Sequence, residues 1–405
     1  MTLKEAIDSG SPTAVEAALE RPEVRSHIND PLPGGSFGQT ALIAAAQHAN
    51  REVIDVLLGA GADINQKSHW WAGGFHVLDD AWKEPWLASY LIGHGATVGI
   101  HHAVRLGMID EVRAMLARDP SLVDARGGDG QLPLHFAQTV EMADCLMSCG
   151  ADVNARDIDH ESTAGQWMIR DRQDVVGYLV SRGSEVDVLM AAALGDAARV
   201  RELLDERPDR IFTRVSDRWF PKRDPRAGGT IYTWTLGGHK NAHAVARDFG
   251  RGEVLEVLMP RTPDALTLVV ACEAGDEARV RQLLRDHPDV RQSLPSFEES
   301  AMLHAAERNN AVAVRLMLDA GWPANTVGRH GVTPLHWAGF HGNAEMVRAL
   351  LRYHAPVHVT ETDFNGTPLS WAEHGAEHGW YRTSGDYPGT IAALVGAGAS
   401  RKDRP

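Results

Sequence analysis

At 405 residues the chain is longer than one hydrophobic core usually spans, so it divides into domains or extends as units that each touch only their neighbours. Hydrophobic residues make up 43% and charged residues 23%, and the net charge of −14 argues against a nucleic-acid partner, whose phosphates demand a basic surface. No apolar run approaches membrane-spanning length. The start, Met1-Thr-Leu-Lys-Glu-Ala, lacks the apolar stretch of a secretory leader, and Cys145, Cys149 and Cys272 do not make a disulfide framework, so a reduced, cytoplasmic location is expected.

One register recurs along the chain, and its clearest copy runs from Thr333 to Ala355. Thr333 can cap a helix, and Pro334 suits a first turn, where its missing N–H is no loss. Ala338 and Gly339 are small where helices press close, and Leu350 and Leu351 face the core from a second, antiparallel helix. With Thr333 as position one, the register also begins at Met1, Thr40, Gly74, Val98, Leu132, Thr163, Val186, Asn241, Leu266, Ser300 and Thr367. Second helices should stop at Gly61-Ala62, Gly95-Ala96, Gly150-Ala151, Gly321 and Gly398-Ala399, or at Pro120, Pro208, Pro263 and Pro288.

Thr333, Pro334, Leu335, His336 and Ala338 match the helix-start motif of the ankyrin repeat, and the chain resembles that family. The resemblance implies an all-α solenoid of about twelve helix pairs, with some β-hairpin fingers and one long inserted hairpin or loop. It also implies a concave face lined by fingers and first helices, and structural roles for His135 and His336, which would tie neighbouring repeats together. The irregular segments look similar to those of long bacterial ankyrin proteins.

In chain order, residues 1–39 form an N-terminal cap repeat, with a small excess in Pro31–Gly38, and residues 40–212 hold regular repeats. Within these, His69–Asp80 breaks the pattern. Asp79 and Asp80 fall where Ala45 and Ala46 sit one repeat earlier, so they are either acids at a late helix start or ligand-facing acids beside His69, Trp70, Trp71 and His76. The intervals from Gly74, Thr163 and Asn241 are too short for fingers and predict tight turns.

Residues 213–240 form an inserted loop that should project from the concave rim and close over first helices of the later repeats. Thr230–Thr235 has strand composition after Gly228-Gly229. Asp217, Lys222, Arg223, Arg226, Tyr232 and Trp234 are its candidate ligand contacts, with Lys222 and Arg223 suited to an anion. Residues 241–366 resume the repeats. Trp167, Trp337 and Trp371 share one register position, where core filling is the default, while the groove-facing positions include Arg170, Asp171 and His341. Residues 367–405 form the last repeat, with an insertion and a polar tail, Ser400–Pro405. Its Trp371–Tyr387 stretch carries His374 and His378 four apart, and Trp380.

The insertion and this last stretch suggest two classes of function. One is a protein-binding scaffold using the concave face. The other is a small-molecule or catalytic site in a Trp/His/Asp-lined groove, with Asp80, Asp224, His239, Glu373 and His374 as acid–base candidates. No metal ligand set, cofactor fingerprint or nucleophile elbow is present: Gly237-Gly238 exclude His239 from a helix with His243, and the glutamates precede His374 and His378 rather than following the first. No cofactor and no nucleic-acid or membrane partner are expected, and the chain should be a monomer.

Overall fold

The computed structural model describes residues 1–400; the end of the polar tail, 401–405, lies outside the described residues. The chain separates into two compact units. The first joins Met1–Met190 to Val215–Gly237, and the second joins Ala191–Arg214 to Gly238–Pro405.

Both units are built of paired helices. In the first, Leu3–Asp8 pairs with Pro12–Leu19, Ala41–Gln47 with Arg51–Gly59, Ile100–Arg105 with Ile109–Arg118, and Ala164–Met168 with Gln173–Ser181. In the second, the pairs include Ala242–Asp248 with Gly252–Leu258, Ala301–Glu307 with Ala311–Asp319, Pro334–Phe340 with Ala344–Arg352, and Pro368–His378 with Tyr387–Gly396. First helices stack on first helices: Ala301–Glu307 packs on Pro334–Phe340, which packs on Pro368–His378. A short helix cannot bury its apolar stripe alone, and this stacking completes the burial of Leu303, Leu335 and Leu369.

The ends follow local chemistry. Thr40, Thr163, Asn241 and Thr367 are N-caps whose side chains accept a backbone N–H three residues on. Gly61, Gly95, Gly150 and Gly398 are left-handed, which lets the following alanine donate back into the last turn, as Ala62 does to Leu57 O at 3.0 Å. His336 serves the same end at a larger scale. Its Nδ1 accepts the Thr333 N–H at 3.1 Å, which leaves Nε2 to donate to Gly366 O in the following turn at 3.2 Å. His135 repeats the device between Leu132 N and Ser162 O.

Two expectations need correction. Among the described residues β structure is limited to isolated bridges such as Arg156 with Thr163 and Arg214 with Asn241, so hairpin fingers are vestigial. The strand-like Thr230–Thr235 is a turn leading into the π-helical Thr233–Gly237. Its β-branched residues are used to pack Ile231 and Thr230 inward rather than to pair strands.

Candidate functional site

The second unit carries an aromatic cleft of about 460 Å³ between its last two first helices. Trp337 and Phe340 come from Pro334–Phe340, and Trp371 and His374 from Pro368–His378. Each pair lies three apart, so each helix turns one aromatic face toward the other. Trp337 and Trp371 meet edge to face at 5.3 Å, and Phe340 meets Trp380 edge to face at 5.4 Å. Trp380 lies flat over Trp337, at 6.4 Å, while remaining 71% exposed.

The close approach of the two helices depends on glycine. A Cβ at Gly375 would fall 2.2 Å from Phe340 O, and one at Gly339 would fall 2.5 Å from Pro368 O. Gly375 therefore does not end the helix; it lets the helix run to His378 while lying against its neighbour. The outer lip is the loop Glu361–Gly366. The buried Glu361 carboxylate accepts N–H bonds from Asp363 (2.7 Å), Phe364 (3.1 Å) and Gly366 (2.8 Å). Burial opposes its ionisation, but these donors hold its pKa below the usual glutamate range. The clamp leaves the Phe364 ring 86% exposed at the mouth.

The other candidates of this unit divide. His341 is buried, donating from Nε2 to Glu307 O at 2.9 Å, with burial lowering its pKa. It braces the cleft from behind, beside Trp337 and Trp380. His378 is exposed and 3.5 Å from Glu377, and Glu373 is half-buried on the same helix. His239, at φ 61°, stacks on His304 with ring centres 3.6 Å apart and pairs with Glu307 at 3.3 Å. Its carbonyl accepts from Arg214, the centre of a buried network. Arg214 contacts Glu298 at 2.5 Å and Glu273 at 3.3 Å, and Arg308 reaches Glu273 at 2.8 Å. Burial works against the Arg214 charge, and the two carboxylates more than offset it, raising its pKa. His239 is thus engaged in holding this network and is not an open acid–base group.

In the first unit, Asp79 is neither a free acid nor a helix cap. It accepts the His76 N–H at 2.6 Å and bonds His102 Nε2 at 3.1 Å, and its carbonyl accepts from Arg105. His102 Nδ1 accepts the Gly99 N–H, so His102 repeats the role of His336 with a carboxylate in place of a carbonyl. His76 is buried with its pKa depressed to about 4, by burial and then by His102. Asp80 pairs with Lys83 at 2.6 Å. His69 is exposed and uses its backbone N–H on Gly38, while Trp70 packs edge-on against Phe37 at 4.9 Å. Trp71 lies under the Arg226 guanidinium at 4.3 Å.

The insertion does not project as expected. Residues 215–237 belong to the first unit and lie along 156–187. Gly228 N–H donates to Asp159 O, Ile231 N–H to Ser162 Oγ, and Arg170 Nε to Thr235 O. Tyr232 is fully buried, with its hydroxyl on Asp187 at 2.9 Å, so it is a core residue and not a ligand contact. Asp224 is held by Arg226, which lowers its pKa to about 2 and leaves it unsuited to acid catalysis at neutral pH. Asp171 sits 3.5 Å from Arg172. Asp217 is exposed and Trp234 is 74% exposed; Lys222 and Arg223 border a separate cavity.

The structure therefore brings together Trp380 and His374 of the candidates, with Trp337, Phe340, Trp371 and Phe364 as residues whose joint site the sequence did not reveal. Trp337 and Trp371 look like core filling by register but are half-buried and line the cleft. Among the described residues no group of three or more His, Cys, Asp or Glu side chains is placed to hold a metal ion, and no helix is long and apolar enough to cross a membrane.

Residues 268–374 match the family model described as Ankyrin repeats (3 copies), and 37–69 and 129–158 match the one described as Ankyrin repeat. The chain is 26% identical over 129 residues to the palmitoyltransferase Hip14 of Drosophila melanogaster, covering 32% of this chain and 19% of that one. It is 33% identical over 98 residues to the E3 ubiquitin-protein ligase XB3 of Oryza sativa subsp. japonica, covering 24% and 22%. The chain thus spans about a fifth of the length of these relatives.

Proposed function

The chain contains ankyrin repeats, and from that premise we propose that it is a protein-binding scaffold whose contact point is the aromatic cleft on its last repeats. The repeats number about twelve in this reading, the cleft lies on the concave face, and the chain acts as a monomer. The observation that carries the reading is the exposure of Trp380 and Phe364 at the mouth of a cleft walled by Trp337, Phe340 and Trp371. Large rings held rigidly at the edge of a pocket bury much area on contact and lose little entropy, which is the chemistry of an interface hot spot. The partner feature that fits is an apolar or aromatic side chain presented by a short peptide segment.

The test is selection of a displayed random-peptide library on the full chain, followed by titration of the enriched peptides. Enrichment of a motif with one apolar anchor is expected, with binding lost in Trp380→Ala and Phe364→Ala. Both residues are exposed, so neither change should move the melting temperature appreciably. Absence of any enriched motif, or binding to both variants as tight as to the parent, defeats the proposal.

A further inference from the structure

The insertion encloses a cavity of its own in the first unit, of about 320 Å³. One wall is Trp219–Arg223 from the insertion, and the other is Arg156 with His160–Ser162 from the repeats. The insertion is fastened around this space by directional bonds. The backbone N–H groups of Arg223 and Asp224 donate to the two oxygens of Glu161 at 2.8 and 2.9 Å. His160 Nδ1 donates to Gly229 O at 2.8 Å. Glycine permits that approach: a Cβ at Gly228 would fall 3.2 Å from the His160 ring and 3.1 Å from Asp159.

These fastenings decide the charge of the cavity. Glu161 is the sole acid in the lining, and both of its oxygens are occupied by backbone donors. The lining also holds Arg156, which is paired with Glu185 at 3.0 Å and donates to Glu161 O, and two further cations, Lys222 and Arg223. Lys222 uses one N–H on Ala227 O at 3.0 Å and keeps two donors, and the Arg223 side chain is exposed at the rim. In a chain of net charge −14 this is a local reversal of sign. The floor is polar and buried, formed by Ser162, Gln166 and Thr230, while Trp219 and Phe220 add flat apolar surface. The volume is at the lower end of the small-ligand range.

We infer that this cavity binds a small organic anion, a carboxylate or phosphate joined to a flat ring, with Lys222 and Arg223 on the anion and Trp219 on the ring. The site is independent of the aromatic cleft, and its failure would leave the scaffold reading intact.

The experiment is calorimetric titration of the full chain with AMP and with benzoate, and with adenosine and benzamide as uncharged counterparts. Saturable one-site binding of at least one anion is expected, and at least about tenfold weaker binding of its neutral counterpart. The two anions separate phosphate from carboxylate preference. The double variant Lys222→Met, Arg223→Gln should weaken binding by at least about tenfold, and the single variant Arg223→Gln, whose exposed side chain can change without moving the melting temperature, should weaken it in part. Arg223→Lys should restore part of it in the Lys222 background. Trp219→Ala should weaken the ring-bearing anion while leaving inorganic phosphate unaffected. No saturable binding of either anion at millimolar concentration, equal binding of the neutral compounds, or full binding by the double variant would each overturn the inference.

Discussion

Gly375→Ala sets two physical effects against each other. In an isolated helix, alanine at an interior position is favoured over glycine by roughly 1 kcal/mol. In the helix Pro368–His378 the same methyl would fall 2.2 Å from Phe340 O, 2.9 Å from Phe340 C and 3.0 Å from its Cα. All three are backbone atoms, so no side-chain rotation relieves the overlap, and the helices must separate by roughly 1 Å to restore van der Waals contact. Overpacking of this kind costs about 1–3 kcal/mol, with backbone against backbone at the upper end. After the propensity gain, a net loss of about 1–2 kcal/mol remains. Urea unfolding followed by circular dichroism should show the transition that reports the last repeats shifted down by about 0.5–1 M, for a typical slope of roughly 2 kcal/mol per molar. Gly177→Ala is the internal control. Gly177 lies inside the helix Gln173–Ser181 with nothing within 4 Å of its built Cβ, so alanine there should stabilise. If Gly375→Ala also stabilises, the close helix approach that shapes the aromatic cleft is refuted.

Arg214→Met should cost about 3–5 kcal/mol, because it strands the Glu298 carboxylate, whose side chain is 0% exposed, and leaves the buried Glu273 with Arg308 alone; thermal unfolding checks it. His336→Ala should cost about 1–3 kcal/mol, since it leaves the buried Thr333 N–H and Gly366 C=O without their shared partner, and a urea midpoint unchanged from the parent would refute it. The second unit should lose stability on mild acidification. Burial, and then His239, Arg214 and Arg308, depress His304 to about 2, and burial with Arg247 depresses His243 to about 4. An unfolded imidazole takes a proton near 6.5 while these folded ones do not. Their contribution is therefore complete above that pH and lost as pH falls from about 6.5 toward the folded values. The melting temperature should drop between pH 7 and pH 5, and His304→Phe should flatten the drop; an unchanged slope would count against the assignment.

Much of the helical scaffold is legible because its signals are local. Thr40, Thr163, Asn241 and Thr367 act as caps through contacts three residues away, and Gly61 or Gly95 needs only its own backbone to terminate a helix. One half of the Asp79–His102 pair had a local signal too. His102 sits three residues after its cap, as His336 does, and that spacing could have marked His102 as a tie, though not Asp79, 23 residues upstream, as its partner. The course of the insertion was not legible in this way. The bond from Ile231 to Ser162 spans 69 residues and that from Tyr232 to Asp187 spans 45, and no local pattern fixes either pairing.

The aromatic cleft was hidden for a related reason. Register marks Trp337 and Trp371 as packing residues, and it is right about which helices they join. Whether such residues fill a core or line a cleft depends on the loop Glu361–Gly366 and on the helix continuing past Gly375, two non-local facts. The same test then sorts every departure from the repeat. Asp79, Tyr232, His239 and His341 found partners inside the fold, and each one strengthens it. Trp380 and Phe364 stay largely in water at the edge of an apolar cleft, where the fold alone buries little of these two large rings. Exposed rings held in place by Glu361 and His341 make physical sense as one half of a contact, which is why the binding reading rests on these residues and not on the polar ones that first stood out.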